Sequence, residues 1–262
     1  MADINGWLEP MFRWIHVVAG VLWIGLLYFF NFVNGPVQGK LDGDTKKKVN
    51  PELLPRALYF FRWGAAYTWI TGILLLLLTY YHGKLMVDAE HADKSTMAIL
   101  VSLAVIFGGV FLYDVAWKAL AKNESVGIAV SFVVVVGLMA MFNYAFNLTA
   151  RALYIHIGGL FGTTMAFNVW FRIWPAQRKI IAAVKEGKAP DAALPALAGL
   201  RSKHNTYMSV PLIFMMVSNH FPTFLGFHGE LGWVLLAIVI ALGWLATKTL
   251  YNKAATPTPS EF

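Results

Sequence analysis

The sequence predicts an all-α, polytopic transmembrane helical bundle of about seven spans, and three observations carry that prediction. Of its 262 residues, 58% are hydrophobic and 13% charged, whereas a soluble domain has roughly 45–50% and about 25%. The mean hydropathy is +0.59. Apolar runs recur at lengths close to the roughly 20 residues a helix needs to cross a bilayer at about 1.5 Å per residue. There is no cysteine, which excludes disulfides, iron–sulfur clusters, thiolate ligands and thioether-attached haem.

The first span, about 11–33, follows Asp3 and Glu9 with no basic n-region and no cleavage site, so it reads as a retained span and not a signal peptide. Spans two to four are the apolar runs at about 57–81, 96–117 and 126–148. The fifth, about 152–173, holds a histidine and several glycines. The sixth, about 205–220, is short and contains Pro211, which predicts either a kink or a start before Asn205. The seventh is about 231–251. The connections 34–56 and 174–204 are the only sizeable polar segments, so residues 1–262 read as one membrane domain with no soluble second domain. Residues 254–262, with their Thr-Pro-Thr-Pro-Ser run, read as a disordered tail.

Seven spans sort the 21 Lys and Arg very unequally. All except Arg13, Lys84, Lys94 and Arg151 fall on one side, which the positive-inside rule makes cytoplasmic. The N-terminus is then outside, the C-terminus inside, and the expected location is a bacterial cytoplasmic (inner) membrane. The net charge of +7 follows from this topology. It gives no reason to expect a nucleic-acid partner, because neither polar loop interleaves basic and aromatic residues. The runs Lys46-Lys47-Lys48 and Arg178-Lys179 are expected to lie at the anionic inner leaflet of the lipid bilayer.

A weak internal repeat places the histidines. His16 is followed by Gly20, Asn31 and Pro36-Val37-Gln38, and His156 by Gly159, Asn168 and Pro175-Ala176-Gln177. Each half continues through a basic loop and an arginine (Arg56, Arg201) to a helix ending in a histidine, His82 or His220. On the charge-sorted topology, His16, His156, His82 and His220 all lie in the outer half of the membrane. An ionisable side chain there is costly unless it is paired or acts as a ligand.

Opposed imidazoles on neighbouring helices, with glycines that let a porphyrin approach, are what a non-covalent b-type haem needs. His16 and His156 are the first-choice iron ligands, with Gly20 and with Gly158, Gly159 and Gly162 close behind them. His82 and His220 are the second pair, and one haem or two fit this set. The competing reading is a histidine bonded to a neighbouring helix or lying among headgroups. Arg13 and Arg151 are candidates for haem propionates or for interfacial anchors. Asn143, Asn147 and Asn219 are weak candidates for a polar substrate pocket. Asp114 reads as an interfacial ion pair with Lys118. No phosphate loop, nucleophile triad or paired-carboxylate site is visible, and no catalytic residue is assigned.

Several stretches resemble a known family, the membrane N-terminal domain of the bacterial membrane-bound urate oxidases (urate hydroxylases). They are His16-Val-Val-Ala-Gly-Val-Leu-Trp-Ile-Gly, Tyr67-Thr-Trp-Ile-Thr-Gly, Tyr113-Asp114, His156-Ile-Gly-Gly-Leu-Phe-Gly-Thr-Thr-Met-Ala-Phe-Asn-Val, Pro175-Ala-Gln, Arg201-Ser-Lys-His-Asn-Thr-Tyr and Ser218-Asn-His-Phe-Pro. The resemblance implies oxidation of urate to 5-hydroxyisourate with electrons passed to a cytochrome c. Urate-oxidising members continue into a fused c-type cytochrome domain. This sequence has no cysteine to attach such a haem, so a separate cytochrome c or other redox subunit is the partner expected. His16, His156, His204 and His220 match family positions without assigned roles.

Three function classes follow: a urate-oxidising haem b oxidoreductase, a membrane cytochrome b electron-transfer subunit with no urate activity, and a transporter. A midplane transport site predicts broken helices with polar groups at mid-depth, whereas the ionisable residues here lie towards the surfaces. Monomeric and oligomeric forms are both compatible with the sequence.

Overall fold

The computed structural model of the protein describes residues 4–221, 223 and 230–256. Helix α1 (Ile4–Tyr28) passes through a π-helical segment, Phe29–Asn34, into α2 (Gly35–Lys40). Helix α3 (Gly43–Leu75) widens in the same way over Leu76–His82. A 3-10 turn, Ala89–Lys94, leads into α4 (Ser95–Leu120), and α5 (Glu124–Tyr144) follows. Helix α6 (Ala150–Asn168) runs through a third π segment, Val169–Ile173, into α7 (Trp174–Lys185). Helices α8 (Ala193–Ser218) and α9 (Glu230–Ala255) complete the chain. Among the described residues the one strand-like pairing is the isolated antiparallel bridge between Val87 and Leu148.

Local chemistry sets the helix ends. Asp42 Oδ1 accepts the backbone N–H groups of Asp44 and Thr45, both at 2.9 Å, and its Oδ2 accepts the Thr45 hydroxyl at 2.6 Å. These bonds, that of the hydroxyl first, hold the Asp42 carboxyl below the ordinary aspartate value. Asn123 caps α5 through the Val126 N–H, and Thr149 caps α6 through the Ala152 N–H. Asn147 has φ 49°, a left-handed conformation that asparagine tolerates. The α5 helix therefore ends at Tyr144, short of the expected 148.

Proline explains two of the three π segments. Pro36 and Pro175 have no N–H to offer the carbonyls of Phe32 and Phe171, and the preceding turn widens. The Phe171 carbonyl instead accepts Arg172 Nη1 at 2.9 Å. The two halves of the sequence repeat thus share one local form, a long helix, a π segment and a short helix opening on proline.

Two differences from the sequence expectation concern hydropathy. The polar connections 34–56 and 174–204 are largely helical, as α2, the start of α3, α7 and the start of α8. Hydropathy finds the stretch that faces lipid, while a helix closes its own backbone hydrogen bonds beyond that stretch. Among the described residues five helices are long and apolar enough to cross a membrane: Gly6–Lys40, Gly43–His82, Ala89–Leu120, Glu124–Tyr144 and Leu231–Ala255. This is the pattern of a multi-pass membrane protein. Large apolar side chains such as Val21 (70% exposed), Leu112 (75%) and Val133 (67%) lie open in a way water would not permit.

The expected fifth and sixth spans form α6 and α8, which are helical but less apolar. They carry most of the buried polar side chains: His156, Thr163, Thr164 and Asn168 on α6, and Arg201, Asn205, Thr206, Ser209 and Ser218 on α8. Their polarity is turned inward, so they fail a test of lipid compatibility because they pack inside. The expected tail at 254–262 begins with ordered residues, since α9 reaches Ala255. The rest of it, 257–262, lies outside the described residues.

The chain divides into two compact units. The first comprises Met1–Phe12, Gly72–Thr164 and Pro211–Leu242. It buries Ile106, Met139, Phe142, Tyr154, Ile157 and Met215. A Cβ on Gly158 would meet Met216 Cε at 2.8 Å, and one on Gly109 would meet Leu160 Cδ1 at 2.9 Å, so these glycines mark close side-chain packing. The second unit comprises Arg13–Thr71, Met165–Val210 and Gly243–Phe262. Here α1 and α3 approach at Gly64, whose Cβ would lie 3.2 Å from Trp23 N and 3.3 Å from Ala19 O.

Candidate functional site

In the first unit, α6 carries His156 fully buried. Its Nδ1 lies 2.6 Å from the carbonyl of Ala152, one turn back on the same helix. A carbonyl only accepts, so Nδ1 bears the hydrogen and Nε2 presents a lone pair. The Tyr81 hydroxyl donates to that Nε2 at 3.3 Å. The Tyr81 ring stacks on the imidazole with an interplanar angle of 30°, and the Tyr80 ring meets it edge-on at 88°. Both tyrosines come from the π segment at the end of α3, where the widened turn brings successive side chains to one neighbour.

Tyr80 extends the cluster to α8. Its hydroxyl donates to Asn219 Oδ1 at 3.3 Å, and Asn219 directly precedes His220. His156 and Asn219 are therefore joined through Tyr80. His82, next to Tyr81 in sequence, is exposed, and so is His220. The connections at this end are knitted together by the Thr149 N–H on Met86 O, the Thr149 hydroxyl on Leu85 O, and Lys94 donating to Asn147. Asn147 is thus occupied by a loop lysine. Asn143 is half-buried and Arg151 exposed.

His16 belongs to the second unit. It is half-buried, with Nδ1 3.2 Å from Thr71 Oγ1. The Thr71 hydroxyl has a single hydrogen and gives it to the Tyr67 carbonyl at 2.6 Å. Towards His16 it can only accept, so His16 also carries its hydrogen on Nδ1 and presents Nε2 as a lone pair. The two first-choice histidines are thus in the tautomer an iron ligand requires, each set by a backbone carbonyl, directly or through one hydroxyl. Arg13 is exposed. Among the described residues no three of His, Cys, Asp and Glu come together as a metal-ion cluster.

The second unit holds a polar network the sequence reading did not single out as a site. Asn31 Nδ2 donates to Leu27 O and to Ser202 Oγ, both at 2.8 Å, and Asn31 Oδ1 accepts the Tyr251 hydroxyl at 2.9 Å. Asn168, its counterpart in the repeat, donates to Asn205 Oδ1 at 2.9 Å, and Asn205 donates to the Met165 carbonyl at 3.0 Å. Ser209 gives its hydrogen to Thr206 O, which leaves its oxygen to accept from Tyr28 at 3.0 Å. The repeat thus sends one asparagine from each half to successive turns of α8, beside buried Arg201. The signal available in sequence was polarity at steps of four or eight residues, His156-Thr164-Asn168 on one helix and Arg201-Asn205-Ser209 on the other. Tyr80 and Tyr81 carried no such signal, because tyrosines near a span end also read as an interfacial belt. Asp114 is buried with Lys118 Nζ 3.9 Å from its carboxylate, as the sequence spacing suggested.

A family model described as urate oxidase N-terminal matches residues 2–260, nearly the whole chain. Nothing among the curated proteins or the solved structures matches it.

Proposed function

The chain belongs to the urate oxidase N-terminal family, and on that premise we propose that it is a haem b-containing membrane oxidoreductase that oxidises urate. The observation that supports the haem reading is the shared tautomer of His16 and His156, both Nδ1–H donors whose Nε2 carries the lone pair, that of His156 taken up by the Tyr81 hydroxyl. The chemistry of each donor fits a b-type haem iron, and His16 and His156 stay the first-choice ligands, one in each unit. His82 and His220 remain the second pair, at sequence positions next to Tyr81 and Asn219. When bound, the haem supplies a one-electron acceptor.

The conversion of urate to 5-hydroxyisourate takes up one water and releases two electrons and two protons, so the electrons must leave through an external acceptor such as a cytochrome c. The protein's part is to bind and orient. Urate is an anion at neutral pH, and Arg13 and Arg151, both exposed, are the cations placed to meet it at the expected outer surface. Asn219, held by Tyr80, is the amide nearest in linkage to His156 and can bond the purine edge. Asn143 is a second such amide. The outward N-terminus and the bacterial inner membrane belong to this proposal and rest on the loop charges.

The test is an oxidised and reduced absorption spectrum of the purified chain from haem-replete cells, followed by urate turnover with added cytochrome c. A b-type spectrum lost in His156→Ala, together with urate-dependent cytochrome reduction, is the expected result. A colourless wild-type preparation ends the haem reading. Haem reduction by quinol without urate turnover assigns the protein to the membrane cytochromes b.

A further inference from the structure

One cationic cluster takes no part in the proposed chemistry. The Arg62 guanidinium lies 4.2 Å from the ring centre of Trp174, 5.5 Å from Trp170, 5.8 Å from Tyr59 and 5.9 Å from Trp63. Trp170 Nε1 donates to the Arg62 carbonyl at 3.1 Å, which ties α3 to the π segment before α7. Arg178 sits over the same Trp174 ring at 5.7 Å. All these residues belong to the second unit. Two guanidinium groups therefore share one indole.

Aromatic faces stabilise the charge of an arginine but leave its N–H donors, which lie in the guanidinium plane, to be satisfied elsewhere. Arg62 Nε is buried and makes no hydrogen bond. No Asp or Glu occurs in residues 57–82 or 169–185, which together carry Arg62, Arg172, Arg178, Lys179 and Lys185. The acids flanking these stretches are engaged, Glu52 with Arg56 at 3.4 Å and Glu186 with Lys188 at 2.8 Å. Phe60 and Phe171, neighbours of the cluster in sequence, are 53% and 61% exposed. The cluster thus combines an unanswered donor on Arg62, two guanidinium groups on one indole in segments that carry no acidic residue, and bare aromatic surface.

We infer that Arg62 and Arg178, seated together on Trp174, bind the phosphate of an anionic phospholipid whose acyl chains lie against the exposed aromatics. A free inorganic phosphate would answer the charge but leave Phe60 and Phe171 uncovered. The charge-sorted topology places these residues at the cytoplasmic leaflet, where anionic headgroups meet the protein.

The full chain, delipidated in mild detergent and exposed to mixed phosphatidylcholine and phosphatidylglycerol, is examined by native mass spectrometry. Wild type should retain phosphatidylglycerol preferentially. Arg62→Gln and Arg178→Gln should each lower that preference about fivefold, while Lys253→Gln should leave it unchanged. Arg178 is exposed, so Arg178→Gln keeps the test available should Arg62→Gln lose its helical circular dichroism. An unchanged preference in Arg178→Gln overturns the inference. Displacement of the retained phosphatidylglycerol by inorganic phosphate at equal concentration overturns the lipid source and leaves a soluble-anion site.

Discussion

Thr71→Val probes the proposed haem site through a residue that is not itself a ligand. The valine keeps the shape of the threonine but removes the oxygen that accepts from His16 Nδ1 at 3.2 Å. Its loss leaves the imidazole with the Thr68 backbone as its remaining partner, at up to about 1–3 kcal/mol, or lets it move its hydrogen to Nε2, where it blocks ligation. Loss of such an outer partner of a ligating histidine typically costs about 10–100-fold in metal affinity, and that is the expected fall in haem affinity. Thr71→Ser restores the acceptor and should restore binding to within a few-fold of wild type. Haem titration of the detergent-solubilised variants, read at the Soret band, measures the affinity, and thermal unfolding of the haem-free forms separates binding from stability. Wild-type haem affinity in Thr71→Val would refute the tautomer argument for His16, as would a Thr71→Ser variant no better than the valine.

Other expectations follow from the same geometry. Asn31→Leu removes two bonds between helices and should lower stability by about 1–3 kcal/mol; Tyr251→Phe added to it should cost less than Tyr251→Phe alone, the remainder being its bond to Thr206, and full additivity in a double-mutant cycle would deny the Asn31–Tyr251 bond. Gly64→Val should destabilise by about 1–3 kcal/mol because its branches meet the α1 backbone, whereas Gly25→Val, with nothing within 4 Å of its Cβ, should unfold within about a degree of wild type in thermal melts. The Asp42 carboxyl is held low, so its cap is fully formed above the ordinary aspartate value and lost as pH falls through the folded-state value. Amide exchange at Asp44 and Thr45 should therefore accelerate on acidification below about pH 4, beyond the intrinsic pH effect, and Asp42→Ala should abolish that excess. His156→Ala should lose haem while Tyr81→Phe, which keeps the stacked ring, should retain it in the reduced-minus-oxidised spectrum.

The helices were legible in the sequence wherever they face lipid. The central runs of α4, α5 and α9 carry no charged side chain because hydrocarbon penalises one. Helix α7 and the first turns of α8 were read as loop, since Arg178, Lys179, Lys185 and Arg201 mark the end of the apolar zone and not of the helix. His16 and His156 stood out because an imidazole inside an apolar run needs a reason. Their partners did not: Thr71 is an ordinary helical threonine in sequence, and Tyr81 became a neighbour of His156 only through the π turn, which shifts the side-chain register without leaving a mark in composition. Arg62 was legible as a basic residue at a span end. That it would be enclosed by four aromatic rings depends on Trp170 and Trp174, more than 100 residues away.

The interior of this protein is specified largely by hydroxyls that spend their hydrogens at home. Thr68 donates to Gly64 O, Thr71 to Tyr67 O, Thr206 to Ser202 O, Ser209 to Thr206 O, Ser218 to Met215 O and Thr247 to Gly243 O. Each bond keeps the helix compatible with an apolar surrounding, since the hydrogen of that hydroxyl is not left bare. Each also turns the side-chain oxygen into an obligate acceptor towards the next helix. Thr71 uses that property to orient His16, and Ser209 to orient Tyr28. The direction of these bonds is thereby fixed without any buried charge, at a cost far below that of an ion pair in the same place. A histidine prepared in this way offers Nε2 in one tautomer only, so the ligands of the proposed haem are ordered by local helix geometry.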